Sequence, residues 1–102
     1  MNIFSRLVIY KIICDTNIND VYIGSTVNFK HRVYQHRYNS KKSESKLYQS
    51  IRKNGGFENY RVEIIEEFPC LNSIQARNRE RFYYDMYNMC NPLLNSISPN
   101  KK

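Results

Sequence analysis

The sequence predicts a small α/β domain, from three short apolar runs, three stretches with helical spacing, and turn formers at the junctions between them. Leu7 to Cys14, LVIYKIIC, is apolar on both faces apart from Tyr10 and Lys11, the pattern of a central strand covered on both sides. Asp15 to Asp20, DTNIND, is dense in turn residues and joins it to Val21–Ile23. The two strands should form an antiparallel hairpin, with Tyr10 and Tyr22 near each other on one face. Gly24 is expected to break the second strand. Ser25 and Thr26 follow, and helical spacing then begins, with Phe29 and Val33 four apart. Thr26 or Asn28 suits the N-cap of a helix running from Asn28 to Arg37. Arg32 and His36 are also four apart and share one face of that helix, a fixed cation beside a titratable ring.

Tyr38 to Ser45 reads as a polar loop without an apolar anchor. A second helix, Lys46 to Asn54, buries Leu47 and Ile51 and stops at Gly55-Gly56. Tyr60 to Phe68 alternates, with Val62, Ile64 and Phe68 to one side and Arg61, Glu63 and Glu67 to the other, as in a strand with one covered face. Pro69 ends it, and Asn72 or Ser73 caps a longer helix to about Met89, with Ile74, Phe82, Met86 and Met89 as its apolar seam. Glu80 is the one acid among Arg77, Arg79 and Arg81. The ordinary use for it would be a surface ion pair with Arg77, worth about 0 to 1 kcal/mol. Pro92, Leu93, Leu94 and Asn95 precede a basic end. With no repeat, linker or second composition regime, residues 1–102 read as one domain with its core over about 6–97.

A chain of 102 residues builds one modest core and leaves no room for a separate recognition domain. Its net charge of +7 is concentrated. Residues 30–53 hold Lys30, Arg32, Arg37, Lys41, Lys42, Lys46, Arg52 and Lys53 against Glu44 alone, with Tyr34, Tyr38 and Tyr48 interleaved. A merely solvated basic face is common, but local clustering with aromatics is the footprint of a phosphate-backbone binder. Cys14, Cys70 and Cys90 are odd in number and lack metal-ligand spacing, as in reduced thiols of a cytoplasmic or nuclear protein. No long apolar run marks a signal peptide or a membrane span.

Val8-Ile9-Tyr10, then Tyr22-Ile23-Gly24-Ser25, then Phe29-x-x-Arg32-x-x-x-His36, then Glu80 in a helix and a late Leu94-Asn95, resemble the GIY-YIG nuclease superfamily in order and spacing. The resemblance covers nearly the entire chain, and no one element would carry it. Val8 stands where the family's first tripeptide has glycine, a position that mainly shapes the strand. Lys46–Gly56 and the end of the chain look most like free-standing members from large DNA viruses, and more distantly like phage intron homing endonucleases. The resemblance implies a three-stranded antiparallel sheet flanked by helices. It also implies a metal-dependent DNA endonuclease that leaves a 5′ phosphate and a 3′ hydroxyl, with one Mg²⁺ or Mn²⁺ per active site held by Glu80, waters and phosphate oxygens.

By the same resemblance Tyr10 is the general base and Tyr22 its orienter or a phosphate contact, with the reverse left open. A free tyrosine titrates near pH 10, so the base is expected to be lowered by neighbouring cations, Arg32 first. Arg32 would also clamp a phosphate oxygen. His36 fits a proton relay or a hydrogen bond to the attacking water, and Asn95 braces the site. Lys30, Arg37, Lys41, Lys42, Lys46, Arg52 and Lys53 would follow the backbone of duplex or branched DNA. A monomer, or a pair of chains assembled on DNA, would nick one strand per active site. Two other readings fit the charge: a basic nucleic-acid-binding protein that kept the fold and lost catalysis, and a ribosomal-type RNA binder. The second leaves Glu80 and the paired tyrosines without a use.

Overall fold

A computed structural model describes residues 2–16 and 20–89, with strand β1 (Val8–Cys14) between β2 (Val21–Thr26) and β3 (Tyr60–Glu67) in one antiparallel sheet. Helices α1 (Phe29–Asn39) and α2 (Lys46–Lys53) come between the second and third strands, and α3 (Ser73–Asn88) follows them. Short 3₁₀ turns at Ile3–Arg6 and Phe57–Asn59 complete the described elements. The three-stranded sheet flanked by helices is thus present as expected. No helix among the described residues is long and apolar enough to cross a membrane.

Because β1 is central, its alternate residues feed two cores. On one face Tyr10, Ile12 and Cys14 pack with Leu47, Tyr48 and Ile51 of α2, with Phe57 and Tyr60, and with Phe29 and Val33 of α1. On the other, Leu7, Ile9 and Ile23 pack against Ala76, Tyr83, Tyr84 and Tyr87 of α3. Asn28 is the N-cap of α1, its side chain accepting from the His31 amide, and Asn72 caps α3 through the Gln75 amide. Gly55 and Gly56 take φ of 97° and 112° just past α2, a conformation that ends a helix and that few side chains tolerate.

Three expectations fail. Strand β2 does not break at Gly24 but runs through Ser25 to Thr26, because β1 pairs with it across Tyr10↔Gly24, Ile9↔Ser25 and Val8↔Thr26. In β3, Ile64 is 45% exposed, whereas Val62 packs on one face and Ile65 with Phe68 on the other. An irregularity opposite Ile9/Tyr10, which pairs Ile9 with Glu66 and Tyr10 with Ile64, interrupts the simple alternation. In α3 the seam Ile74, Phe82, Met86 and Met89 lies on the outside. The inward stripe is Ala76, Glu80, Tyr83, Tyr84 and Tyr87, residues whose small or amphipathic character hides the helical period. Phe82 instead helps cover Arg79, whose fork bonds Glu66 of β3 at 2.6 and 3.1 Å and whose charge lies 4.6 Å from the Phe82 ring.

Candidate active site

Tyr10 and Tyr22 come from adjacent strands and face the α1–α2 core, their ring centroids 6.3 Å apart. They are diagonal neighbours, since the residue directly opposite Tyr10 is Gly24. A Cβ at Gly24 would meet Tyr10 Cζ and Oη at 2.6 Å, so the phenol lies across the glycine backbone and requires its missing side chain. The packing of Phe29 and Val33 brings α1 over this pair, and the helical period then turns Arg32 and His36 toward the sheet. The Arg32 guanidinium is close enough for its charge to bear on both phenols and on Glu80. Its Nη1 also donates to Gln35 Oε1 at 3.2 Å.

His36 is not on a solvated cationic face. It is fully buried, with Nε2 at 2.7 Å from Tyr10 Oη and Nδ1 at 2.8 Å from Tyr48 Oη. Burial, and secondarily the Arg32 charge, push its pKa down to about 4, so the ring is neutral at pH 7. Both nitrogens are occupied by tyrosines, which leaves no nitrogen for a direct bond to a water. A role in proton movement must therefore pass through Tyr10. His31, one position before Arg32, is exposed and belongs to none of this.

Neither tyrosine is lowered by the neighbouring cation. Desolvation raises Tyr10 and Tyr22 above the ordinary phenol value, and the opposing pull of Arg32 only partly offsets it. A standing phenolate is thus not the form that this site holds.

Glu80 approaches from the sheet's other side. It does not pair with Arg77; its Oε1 accepts from Ser25 Oγ at 2.5 Å, next to Gly24. Burial raises its pKa, while the Ser25 bond, Arg32 and Arg77 pull it back. Tyr10 and Tyr22 on one face and Glu80 on the other meet around Gly24-Ser25 of the edge strand, with Arg32 acting on all three. Among the described residues no three His, Cys, Asp or Glu side chains cluster as a metal site. Glu80 with the Ser25 hydroxyl can therefore supply only a fragment of a shell. That donor set fits a hard cation that keeps its waters and takes phosphate oxygens. Asn95 lies outside the described residues.

Of the basic residues, Lys30 and Arg37 on α1, Lys41 and Lys42 on the connection, and Lys46 and Lys53 on α2 are all exposed. Arg52 is exposed too, and its Nη1 donates to the Ser40 and Ser43 carbonyls at 3.0 and 2.8 Å while Nη2 lies 3.7 Å from Glu44, so a polar side chain ties down the connection that has no apolar anchor. The residue that sequence reading missed is Tyr48. It looked like one more aromatic in a basic segment, and only the tertiary structure shows that its hydroxyl lies 2.8 Å from His36 Nδ1.

The GIY-YIG catalytic domain matches residues 6–93 of the chain. No curated protein matches it. Among solved structures, the catalytic domain of the homing endonuclease I-TevI superposes with a TM-score of 0.72 at 26% identity, over 87% of this chain and 98% of that one. With a family match over residues 6–93, most of its length, this chain belongs to the GIY-YIG family.

Proposed function

We propose that the protein is a DNA endonuclease that hydrolyses phosphodiester bonds, leaving a 5′ phosphate and a 3′ hydroxyl. The observation that carries this is the convergence of Tyr10, Tyr22, Arg32 and Glu80 on the Gly24-Ser25 edge, with exposed cations along α1 and α2 to hold a polyanion. A binder that had lost catalysis would have no use for a carboxylate held beside a phosphate site, where its charge opposes binding.

Arg32 binds and orients a non-bridging oxygen of the scissile phosphate and offsets the charge that builds there. Tyr10 Oη receives the proton of the attacking water as its own proton passes to His36 Nε2 at 2.7 Å. The two transfers leave Tyr10 neutral throughout, which its raised pKa favours over a free phenolate. Burial is the larger cause that disfavours a cationic His36, and the phosphate paired with Arg32 offsets the lesser one, the Arg32 charge. Tyr22, beside Tyr10 and Arg32, contacts the phosphate. Glu80, with Ser25, would hold one Mg²⁺ or Mn²⁺, which when bound supplies Lewis-acid stabilisation of the phosphate and of the leaving 3′ oxygen. One chain carries one such centre, so each binding event nicks one strand. A two-fold pair assembled on DNA would cut both.

Glu80→Gln tests the reading. It should abolish cleavage while leaving DNA affinity equal or higher, because a negative charge leaves a phosphate site. Cleavage above a few per cent of the unaltered rate would remove Glu80 from the site.

A further inference from the structure

His36 is fully buried between two tyrosine hydroxyls, and one of them belongs to no part of the reaction described above. A neutral imidazole has one N–H donor and one bare acceptor nitrogen, and the partner of one nitrogen decides the state of the other. To take the proton of Tyr10, Nε2 must be the bare nitrogen. The proton must then sit on Nδ1, where the only hydrogen-bonding group within reach among the described residues is Tyr48 Oη at 2.8 Å. The groups facing the ring come from each surrounding element: Tyr10 from β1, Tyr22 from β2 at 5.5 Å between centroids, Arg32 from α1 itself, and Tyr48 from α2 at 5.8 Å. Glu80, from α3, acts on the tyrosines rather than on the ring.

We propose that Tyr48 is a positioning residue for the nuclease reaction: its hydroxyl accepts from His36 Nδ1–H, fixes the ring's orientation and tautomer, and so keeps Nε2 open to the proton of Tyr10. The proposal rests on the endonuclease reading for the tautomer and for its kinetic consequence, and on geometry for the contact between Tyr48 and Nδ1. Tyr48 itself is held firmly. It is 7% exposed, packed with Leu47 and Ile51, and lies in the first turn of α2, where Ser45 Oγ accepts from its amide at 3.5 Å. Without its hydroxyl, an Nδ1–H would be an orphaned donor in an apolar setting. The proton would then move to Nε2, where Tyr10 Oη can accept it. In that tautomer His36 can no longer receive from Tyr10.

The chain has two histidines, so His31→Gln leaves one imidazole whose ¹⁵N resonances report the tautomer directly. The unaltered His36 ring should show a single Nδ1–H tautomer, and Tyr48→Phe should convert it to Nε2–H. Cleavage by Tyr48→Phe should fall by at least about tenfold in kcat with KM for DNA unchanged, a fraction of what a proton-transfer group contributes. An Nε2–H ring in the unaltered protein would overturn the proposal even if Tyr48→Phe failed to fold. So would Tyr48→Phe cleaving at the full rate. An unaltered protein that cuts no DNA would refute the nuclease reading, while the ring spectrum would still decide what Tyr48 does.

Discussion

Replacing Gly24 with alanine adds one methyl group at the centre of the proposed site. The new Cβ would stand 2.6 Å from both Cζ and Oη of Tyr10, whereas ordinary contact begins near 3.4 Å, so the phenol tip must withdraw by about 0.8 Å. Tyr10 is 1% exposed and wedged between Tyr22, Phe29 and His36, so nothing nearby yields freely. Its 2.7 Å bond to His36 would be compressed or stretched toward the limit of about 3.2 Å for a good hydrogen bond. Overpacking of this kind costs about 1 to 3 kcal/mol, roughly 5 to 20 °C in melting temperature for a domain of this size. A displacement approaching 1 Å at a reacting group costs up to about 10²-fold in rate, so cleavage should fall by roughly 10- to 100-fold. The sign is informative, because alanine for glycine inside an unobstructed strand stabilises by about 0.5 to 1 kcal/mol. Thermal melts and single-turnover cleavage by the folded variant give both numbers. A Gly24→Ala protein that melts at or above the original temperature and cleaves at the original rate would refute the contact and the role of the Tyr10 hydroxyl together.

Two further outcomes follow from the buried histidine and the basic helices. His36 is held neutral at a pKa of about 4 against its ordinary 6.5, so its contribution to stability is complete above pH 6.5 and is lost as pH falls through 4. The loss amounts to about 3 kcal/mol, and His36→Asn should remove that part of the pH dependence in urea melts at pH 7 and pH 4; an unchanged profile would place the ring in water. Lys41→Ala combined with Lys42→Ala should weaken binding to all DNA sequences alike and reduce the salt slope by up to about two, measured by titration at several salt concentrations. A sequence-selective loss would mean that the α1–α2 connection reads bases.

The order of strands and helices was legible because period, caps and glycines agree locally. Asn28 and Asn72 cap as their side chains allow, Gly55-Gly56 adopts positive φ, and a continuous apolar run became the central strand. The nearness of Tyr10 and Tyr22 followed from strand alternation across one hairpin. What failed depends on contacts between distant segments. The inward face of α3 is built from alanine, tyrosines and Glu80, so a reading that weighs aliphatic residues most turned the helix outward. Gly24 read as a strand break although it is an opening for the Tyr10 ring, a requirement set by the opposite strand. The burial of His36 and the reach of Tyr48 arise from where α1 and α2 settle around the Tyr10 core, and no spacing within either helix encodes that. That Arg52 also bonds the carbonyls of Ser40 and Ser43 is likewise set by the path of the connection and not by any spacing.

The central claim is that these groups cut DNA, and the time course of supercoiled plasmid with the purified protein and Mg²⁺ or Mn²⁺ tests it most directly. Nicked circles should accumulate before linear product, with 5′ phosphate ends, and chelator should stop the reaction at once. Double-strand breaks should appear only at high protein concentration. A plasmid that is bound but left supercoiled with either metal would contradict the account and leave a DNA-binding protein with the fold of a nuclease.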